Sequence, residues 1–292
     1  MNPLRKCDIS ELDNTYRVIF MPQGLGDILF FLMYAAEYRK LIPEERLAVV
    51  VIKKHFSQLV EMFEGRVDAL CCMDMEEEPF WRGRMTYFYD GIYNSAPQPY
   101  LLRAVRSAMG LRETARAYLP TLPRPADMDR REEALGMVKG SGILIAPDAV
   151  SCNVNVPDNT WMEIAKICEK NGFQVFFNSN DLMRFGNYPK VFLSMAETMN
   201  FLSDAGGFIS FRSGLCDVAA AFTNAKSLII YPNNKKRGEY PSILGYEIDP
   251  NGAYLRYCSL KNIFPRKPIA EVIYDEKKLI EIVSKEVETW LK

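Results

Sequence analysis

The second half of the chain alternates short apolar runs with amphipathic stretches, and this pattern restricts the fold more than any other feature. Apolar runs typical of buried strands begin at Gly142, Gln174, Phe208 and Ser227. Much of the sequence between them has the apolar periodicity of amphipathic helices. Strands that alternate with helices through short connections form a parallel sheet with helices on both faces. We therefore predict the α/β class for this half.

The first half shows the same alternation more weakly. Residues 17–22 and 47–52 predict buried strands, residues 28–40 predict a helix between them, and residues 69–72 predict a third strand. Both halves are therefore predicted to be Rossmann-like domains built on parallel sheets. Two such sheets in one chain would face each other across a central cleft, with ligands at the carboxyl ends of the strands.

A proline-rich stretch over residues 119–129 is the best candidate for a linker. The length of 292 residues also suits two domains of roughly 150 residues each. We place the first domain at residues 1–128 and the second at residues 129–292. The chain closes with an amphipathic helix over residues 275–291, which can pack within the second domain or back on the first.

The charge balance argues against a nucleic-acid partner. Lys and Arg total 36 and Asp and Glu total 37, so no excess of positive charge is available for a phosphate backbone. One basic cluster, residues 235–237, is interpreted as a solvated loop.

The cysteines and the N-terminus indicate a cytoplasmic protein. The seven cysteines are odd in number and contain no CxxC pair, which favours reduced thiols. The N-terminal sequence is too polar for a secretory signal. The apolar run over residues 28–36 is much shorter than a membrane span, which needs about 20 residues. A peripheral contact with a membrane is the one kind of membrane association that remains possible.

No metal and no cofactor are expected. His55 is the single histidine and has no clustered cysteine partner, so a zinc site and a role as catalytic base are both disfavoured. Asp127 and Asp129 match the D-x-D motif, which binds a divalent metal in some transferases. They lie in the proline-rich stretch rather than after a buried strand, so a solvated linker is the better interpretation.

A glycine-rich turn joins the first strand to the first helix. Gly24 and Gly26 allow a tight turn and a close approach of a ligand, and a helix N-terminus favours an anion. Asp27 is predicted at the helix N-cap. It either only caps the helix or takes a proton from an acceptor hydroxyl as a general base.

A second turn precedes an alanine-rich helix in the second half. Ser213 and Gly214 would present backbone N–H groups at the helix N-terminus, which suits a diphosphate. Arg212 would add a charge-assisted contact to phosphate. The alternative is that Arg212 pairs with a carboxylate, either Asp204 or Asp217.

Two further turns follow buried strands of the second half. Pro147 and Asp148 open a polar loop over residues 147–153 that either lines the ligand edge or is an ordinary solvent loop. Asn178 and Ser179 follow the next strand and either contact ribose or base or are common turn residues.

At these positions the chain resembles glycosyltransferase family 9, the ADP-heptose:lipopolysaccharide heptosyltransferase group with the GT-B fold. Short matching motifs occur in the same order, in residues 24–29, 143–147 with Trp161, 196–205, and 213–215 with 219–221. The resemblance implies that the first domain takes a glycan acceptor with Asp27 as base. It also implies that the second binds a nucleotide sugar through the turn that includes Arg212, Ser213, Gly214, Leu215 and Asp217.

The chain departs from the family pattern on the donor side. Arg212 stands where the family signature has Asp, Asp217 stands where it has His, and Asn159 and Thr160 precede Trp161 in place of a basic residue. ADP-, UDP- and GDP-linked sugars therefore remain open as donors for a metal-independent transfer in polysaccharide biosynthesis. A non-catalytic nucleotide-sugar-binding protein, or an epimerase or hydrolase of the same architecture, are the alternatives.

Overall fold

The computed structural model describes residues 4–22, 24–53, 56, 60, 62–88, 101–120, 125, 127–148, 156–232 and 259–290. Contacts between Cα atoms divide the chain into two compact units, the first within Met1–Pro123 and the second beginning at Arg124. Of the helices in these described ranges, none has both the length and the apolar character needed to cross a membrane.

The first unit is built on a parallel sheet. Its described residues form the strands β1 (Arg5–Lys6), β2 (Tyr16–Met21), β3 (Arg46–Ile52), β4 (Ala69–Met73) and β5 (Thr86–Tyr87), in the order β1-β4-β3-β2-β5. Its described residues also include the helices α1 (Leu25–Arg39), α2 (Glu78–Trp81) and α3 (Leu101–Ala108), with 3-10 turns at Ile9–Glu11, Met75–Glu77 and Arg82–Arg84.

The central strands of this sheet are apolar on both faces, as buried parallel strands are. In β2 and β3 the register places Phe20 opposite Val50, and both side chains are fully buried. Every residue from Ile28 to Ala35 of α1 is also buried. The helix therefore lies deep in the unit, and its first turn is held at the end of β2.

The second unit is built on a larger parallel sheet. Its described residues form β6 (Gly142–Ala146), β7 (Gln174–Asn178), β8 (Lys190–Val191), β9 (Gly207–Phe211), β10 (Lys226–Tyr231) and β11 (Ile269–Ile273), in the order β11-β10-β9-β6-β7-β8. The helices are α4 (Met128–Ala134), α5 (Asp158–Lys170), α6 (Met195–Asp204), α7 (Gly214–Phe222), α8 (Leu260–Ile263) and α9 (Leu279–Trp290).

One face of this sheet is covered by α5 and α9, which pack against each other. Trp161 of α5 is 1% exposed, and Leu279, Val283 and Val287 of α9 are fully buried. The last helix thus packs against α5 and the sheet of its own unit.

The prediction of two parallel α/β sheets is confirmed, and the element bounds differ in places. The first helix begins at Leu25 rather than residue 28, since the glycine turn is already its first turn. The capping box between Ser194 and Glu197 is present at the start of α6. The edge strands β1 and β5 were not predicted, because each has only two residues. The strand β11 was not predicted either, because Glu271 at its centre interrupts the apolar pattern.

Gly206, just before β9, is required by a close backbone approach. A Cβ atom there would lie 2.2 Å from the carbonyl oxygen of Gly140. Overpacking against backbone costs about 1–3 kcal/mol, so we expect Gly206→Ala to lower the free energy of unfolding by that amount in guanidinium titrations. Gly83→Ala is the control, because its Cβ would meet nothing within 4 Å. Equal stabilities for the two variants would contradict this account.

Candidate functional site

The strand order of the second unit reverses between β6 and β9. Counted along the chain, β6, β7 and β8 run outward in one direction and β9, β10 and β11 in the other. Ligands of doubly wound sheets bind where the order reverses, outside the carboxyl ends of the two central strands. The residues that follow β6 and β9 are therefore the candidate site of this unit.

Side-chain hydrogen bonds join the two strands at this point. Ser210 is fully buried and its Oγ donates to the carbonyl oxygen of Ala146 at 3.0 Å. The Cys216 thiol, in the first turn of α7, donates to Ser210 Oγ at 3.4 Å and lies 3.3 Å from the carbonyl oxygen of Phe211. The start of α7 is thereby tied to the ends of both central strands.

Arg212 forms a buried ion pair with Asp217. Its two Nη atoms donate to the two carboxylate oxygens at 2.9 and 2.6 Å, and Nη1 also donates to the Ser213 carbonyl at 2.6 Å. The side chains are only 6% and 5% exposed. The alternative of pairing with a carboxylate is thus observed, with Asp217 rather than Asp204 as the partner at these distances, and the pair carries no net charge.

This pair is shielded from solvent. Burial raises the pKa of the Asp217 carboxyl, and the charge and hydrogen bonds of Arg212 oppose that rise. The Arg212 guanidinium carbon lies 6.0 Å from the centroid of the Tyr231 ring. Burial also raises the pKa of Tyr231, whose hydroxyl donates to Glu271 at 2.6 Å. Arg212 therefore belongs to a buried polar network that continues to β11.

The N-terminus of α7 remains accessible above this network. Ser213 is its N-cap, with extended backbone and no side-chain capping hydrogen bond. Ser213, Gly214 and Leu215 are all partly exposed. The first N–H groups of a helix have no intrahelical acceptor and carry a partial positive charge. This terminus therefore has free backbone N–H groups for an anion, and the binding of a diphosphate here stays a prediction.

Asp148, after β6, is held by an arginine that sequence analysis did not identify. Arg184 Nη1 donates to both carboxylate oxygens of Asp148 at 3.0 Å, and its Nε and Nη2 donate to Asp158 at 3.1 and 2.7 Å. These hydrogen bonds raise the Arg184 pKa further. Pro147 is buried and Asp148 is exposed. The three charged side chains leave one excess negative charge at this edge.

A backbone feature explains why Arg184 was missed. Phe185 adopts a positive φ of 60°, which is rare outside glycine, and its ring stacks on Phe177 at 4.1 Å between centroids. The guanidinium carbon of Arg184 lies 4.5 Å from the centroid of the Phe185 ring. The stacked ring thus stabilises the turn that positions Arg184. No local sequence pattern predicts such a turn.

Asn178 and Ser179 lie at the carboxyl end of β7, as predicted. Ser179 is buried, and its Oγ accepts a hydrogen bond from the backbone N–H of Asp181 at 3.1 Å. Asn178 is partly exposed. Ser179 therefore shapes the turn before Arg184, while Asn178 can still meet a ligand at this edge.

In the first unit, Asp27 lies in the first turn of α1. The predicted N-cap position is wrong: Gly24 is the N-cap, with φ −74° and ψ 173°, and Asp27 is the third residue of the helix. Gly26 is buried and Asp27 is partly exposed. Because the strand order of this sheet reverses between β2 and β5, the turn after β2 occupies the corresponding ligand edge.

Some sequence predictions fall outside the described residues. These are His55, the stretch 149–153 of the loop after β6, and the basic cluster 235–237. Within the part of the chain that is described, no three His, Cys, Asp or Glu side chains are grouped as metal ligands would be.

Solved structures share this fold over nearly the whole chain. A glycosyl transferase family 9 protein from Veillonella parvula matches with a TM-score of 0.60 and 13% identity, over 96% of this chain and 98% of that one. An E. coli ADP-heptose lipopolysaccharide heptosyltransferase II matches with a TM-score of 0.57 and 13% identity, over 94% and 96%.

The E. coli heptosyltransferase WaaC, in a structure with ADP, matches with a TM-score of 0.57 and 12% identity, over 94% of this chain and 99% of that one. No protein-family model and no curated protein sequence matches the chain. At such low identity the likeness establishes the fold, and it is the fold that the resemblance to family 9 implied.

Proposed function

We propose that this protein is a glycosyltransferase that moves a sugar from a nucleotide-diphosphate donor to a hydroxyl of a glycan acceptor in the cytoplasm. The observation that carries the proposal is the whole-length likeness to heptosyltransferase structures, combined with a helix N-terminus at the β6–β9 switch point. One of those structures contains ADP, the kind of ligand that such a terminus accepts.

The donor diphosphate would bind at the start of α7. The N–H groups of Ser213, Gly214 and Leu215 would stabilise the charge that develops on the leaving diphosphate, which is the task of a preorganised dipole. In this proposal Arg212 and Asp217 hold the terminus in place from below, since their charges satisfy each other. The helix dipole takes the part that a divalent cation plays in metal-dependent transferases.

The acceptor would be activated in the first unit. Asp27, at the start of α1, would take the proton of the attacking hydroxyl as a general base. We propose a sugar of a cell-surface polysaccharide or lipopolysaccharide-type glycan as acceptor, after the heptosyltransferases of the same fold.

A thermal-shift panel of ADP, UDP, GDP and CMP tests the donor site. One nucleoside diphosphate should raise the melting temperature well above the others, because a ligand that binds only the folded state stabilises it by an amount that grows with the logarithm of its affinity. The matching nucleotide sugar should then be consumed only when an acceptor glycan is supplied. The proposal fails if none of the four nucleotides shifts the melting temperature.

A non-catalytic nucleotide-sugar-binding protein is the second candidate. The observation that favours it is the neutral Arg212–Asp217 pair, since Arg212 brings no excess positive charge to the leaving group. Binding of a nucleotide sugar with no turnover on any glycan acceptor would support this candidate, and acceptor-dependent release of nucleoside diphosphate would exclude it.

Arg184 should control donor affinity through the charge of the β6 edge. Arg184→Met leaves Asp148 and Asp158 without the cation between them. A unit charge near a half-exposed anion site contributes on the order of 1 kcal/mol, so calorimetry should show about a fivefold to tenfold weaker affinity for the nucleotide.

Arg184→Lys keeps the charge and should recover most of this affinity. Lys285→Met is the matched control, because Lys285 forms an exposed ion pair with Glu281 on α9. Unchanged affinity in Arg184→Met, or an equal loss in Lys285→Met, would contradict the role given to Arg184.

A further inference from the structure

Two cysteines face each other across neighbouring strands of the first unit. The sulfur atoms of Cys7 and Cys71 are 3.2 Å apart although 64 positions separate them along the chain. The β1–β4 register pairs Arg5 with Ala69 and Lys6 with Leu70, so Cys7 is next in line opposite Cys71. The backbone N–H of Cys7 donates to the Leu70 carbonyl at 3.4 Å, which continues the pairing.

This placement suits a covalent bond between the sulfurs. Neighbouring strands lie about 4.8 Å apart, and disulfides join Cα atoms that are roughly 4.4–6.8 Å apart. Residues directly opposite each other in adjacent strands fall within that range. Both thiols are free in this structure. A disulfide would therefore need little movement of the backbone.

The two thiols differ in access. Cys7 is partly exposed, whereas Cys71 is fully buried in the cluster that includes Phe20 and Val50. Burial raises the pKa of the Cys71 thiol. A reagent from solution would meet Cys7 first, and Cys71 would act second on the sulfur beside it.

The cross-link would secure a weakly held edge of the sheet. β1 has only two residues, and the segment after it is anchored by the buried side chains of Ile9 and Leu12 and by an exposed ion pair between Arg5 and Glu11. Exposed ion pairs contribute little to stability. A bond from Cys7 to β4 would close a long loop, and such bonds restrict the unfolded chain strongly.

We propose that Cys7 and Cys71 form a redox-active dithiol that is converted to a disulfide by low-molecular-weight disulfides and so locks β1 to β4. The Cys7 thiol loses its proton and attacks one sulfur of glutathione disulfide, which forms a mixed disulfide and releases one glutathione thiolate that takes up a proton. The Cys71 sulfur then attacks Cys7, loses its proton, and expels the second glutathione. Two protein thiols are oxidised and one glutathione disulfide is reduced to two glutathione molecules.

Cys72 provides a matched control. It is the next residue of β4 and is also partly exposed, but successive side chains of a strand point to opposite faces. It therefore cannot reach Cys7 without a change of register. Cys72→Ser should leave the cross-link intact, and Cys7→Ser should remove it.

The experiment equilibrates the folded, full-length protein with mixtures of reduced and oxidised glutathione and maps its disulfides by peptide mass spectrometry. The Cys7–Cys71 cross-link should appear in wild type and Cys72→Ser, disappear on addition of dithiothreitol, and raise the melting temperature by about 5 °C. No such rise should occur in Cys7→Ser. The proposal is overturned if Cys7 stops at the glutathione mixed disulfide, if it pairs with another cysteine, or if the cross-linked protein melts no higher than the reduced one.

Discussion

Asp217→Leu is expected to destabilise the protein by about 3–5 kcal/mol, because it removes the carboxylate that pairs with the buried Arg212 guanidinium. Arg212→Met should cost a similar amount, since it strands the Asp217 carboxylate. Methionine nearly matches arginine in volume and leucine is larger than aspartate, so neither loss comes from a cavity. Equilibrium unfolding in guanidinium chloride measures each value.

The double variant Arg212→Met/Asp217→Leu should recover most of this loss. Replacing a buried ion pair by apolar groups of similar size is often neutral or stabilising, so we expect the double variant to lie within about 1–2 kcal/mol of wild type. Two large single losses that simply add in the double variant would show that the pair is not the source of the energy. The exposed Glu281–Lys285 pair offers a control in which every variant should change stability by less than about 1 kcal/mol.

The same double variant also separates the two roles that Arg212 can have. If Arg212 and Asp217 only support the start of α7, the folded double variant should bind the stabilising nucleotide within a few-fold of wild type. If Arg212 instead touches phosphate, affinity should fall by at least tenfold, because charge-assisted contacts to phosphate are among the strongest hydrogen bonds.

The parallel sheets were predictable because their strands are buried on both faces. Runs such as residues 143–146 and 228–230 contain no polar residue, and an unbroken apolar run can be recognised in a single sequence. The edge strand β1 has two exposed residues, so its pairing depends on the rest of the sheet rather than on its own sequence. A strand can therefore be predicted from this sequence when it is buried on both faces, and its intrinsic β propensity matters less.

The candidate site was predictable where it depends on chain order and not where it depends on side-chain pairing. Turns after buried strands fall at the carboxyl edge by topology, and Ser213, Gly214 and Asp148 were placed there correctly. Two carboxylates were equally plausible partners for Arg212, and only the helical turn of α7 selects Asp217. Arg184 pairs with Asp148 from a turn in which the next residue, Phe185, has a positive φ and stacks on Phe177, and that stacking is a tertiary feature.

Asp27→Asn is expected to reduce the rate of sugar transfer by about 10²–10⁴-fold, the range for loss of a general base. Asparagine keeps the size of the side chain but takes up no proton at neutral pH. The Kd for the donor nucleotide, whose proposed site is in the second unit, should be unchanged. The acid limb of the pH–rate profile, where wild type loses activity as its base becomes protonated, should disappear from the residual activity of the variant.

Structural damage is a separate outcome that stability measurements can identify. A carboxylate in the first turn of a helix stabilises it by about 0.3–1 kcal/mol, so Asp27→Asn should unfold only slightly earlier than wild type. Glu37→Gln is the matched control, since Glu37 is an acid on the same helix that pairs with Lys40 at 2.6 Å near its other end. If Asp27→Asn retains full transfer activity, or if Glu37→Gln loses as much, then the carboxylate of Asp27 is not the base, and acceptor activation must come from another group.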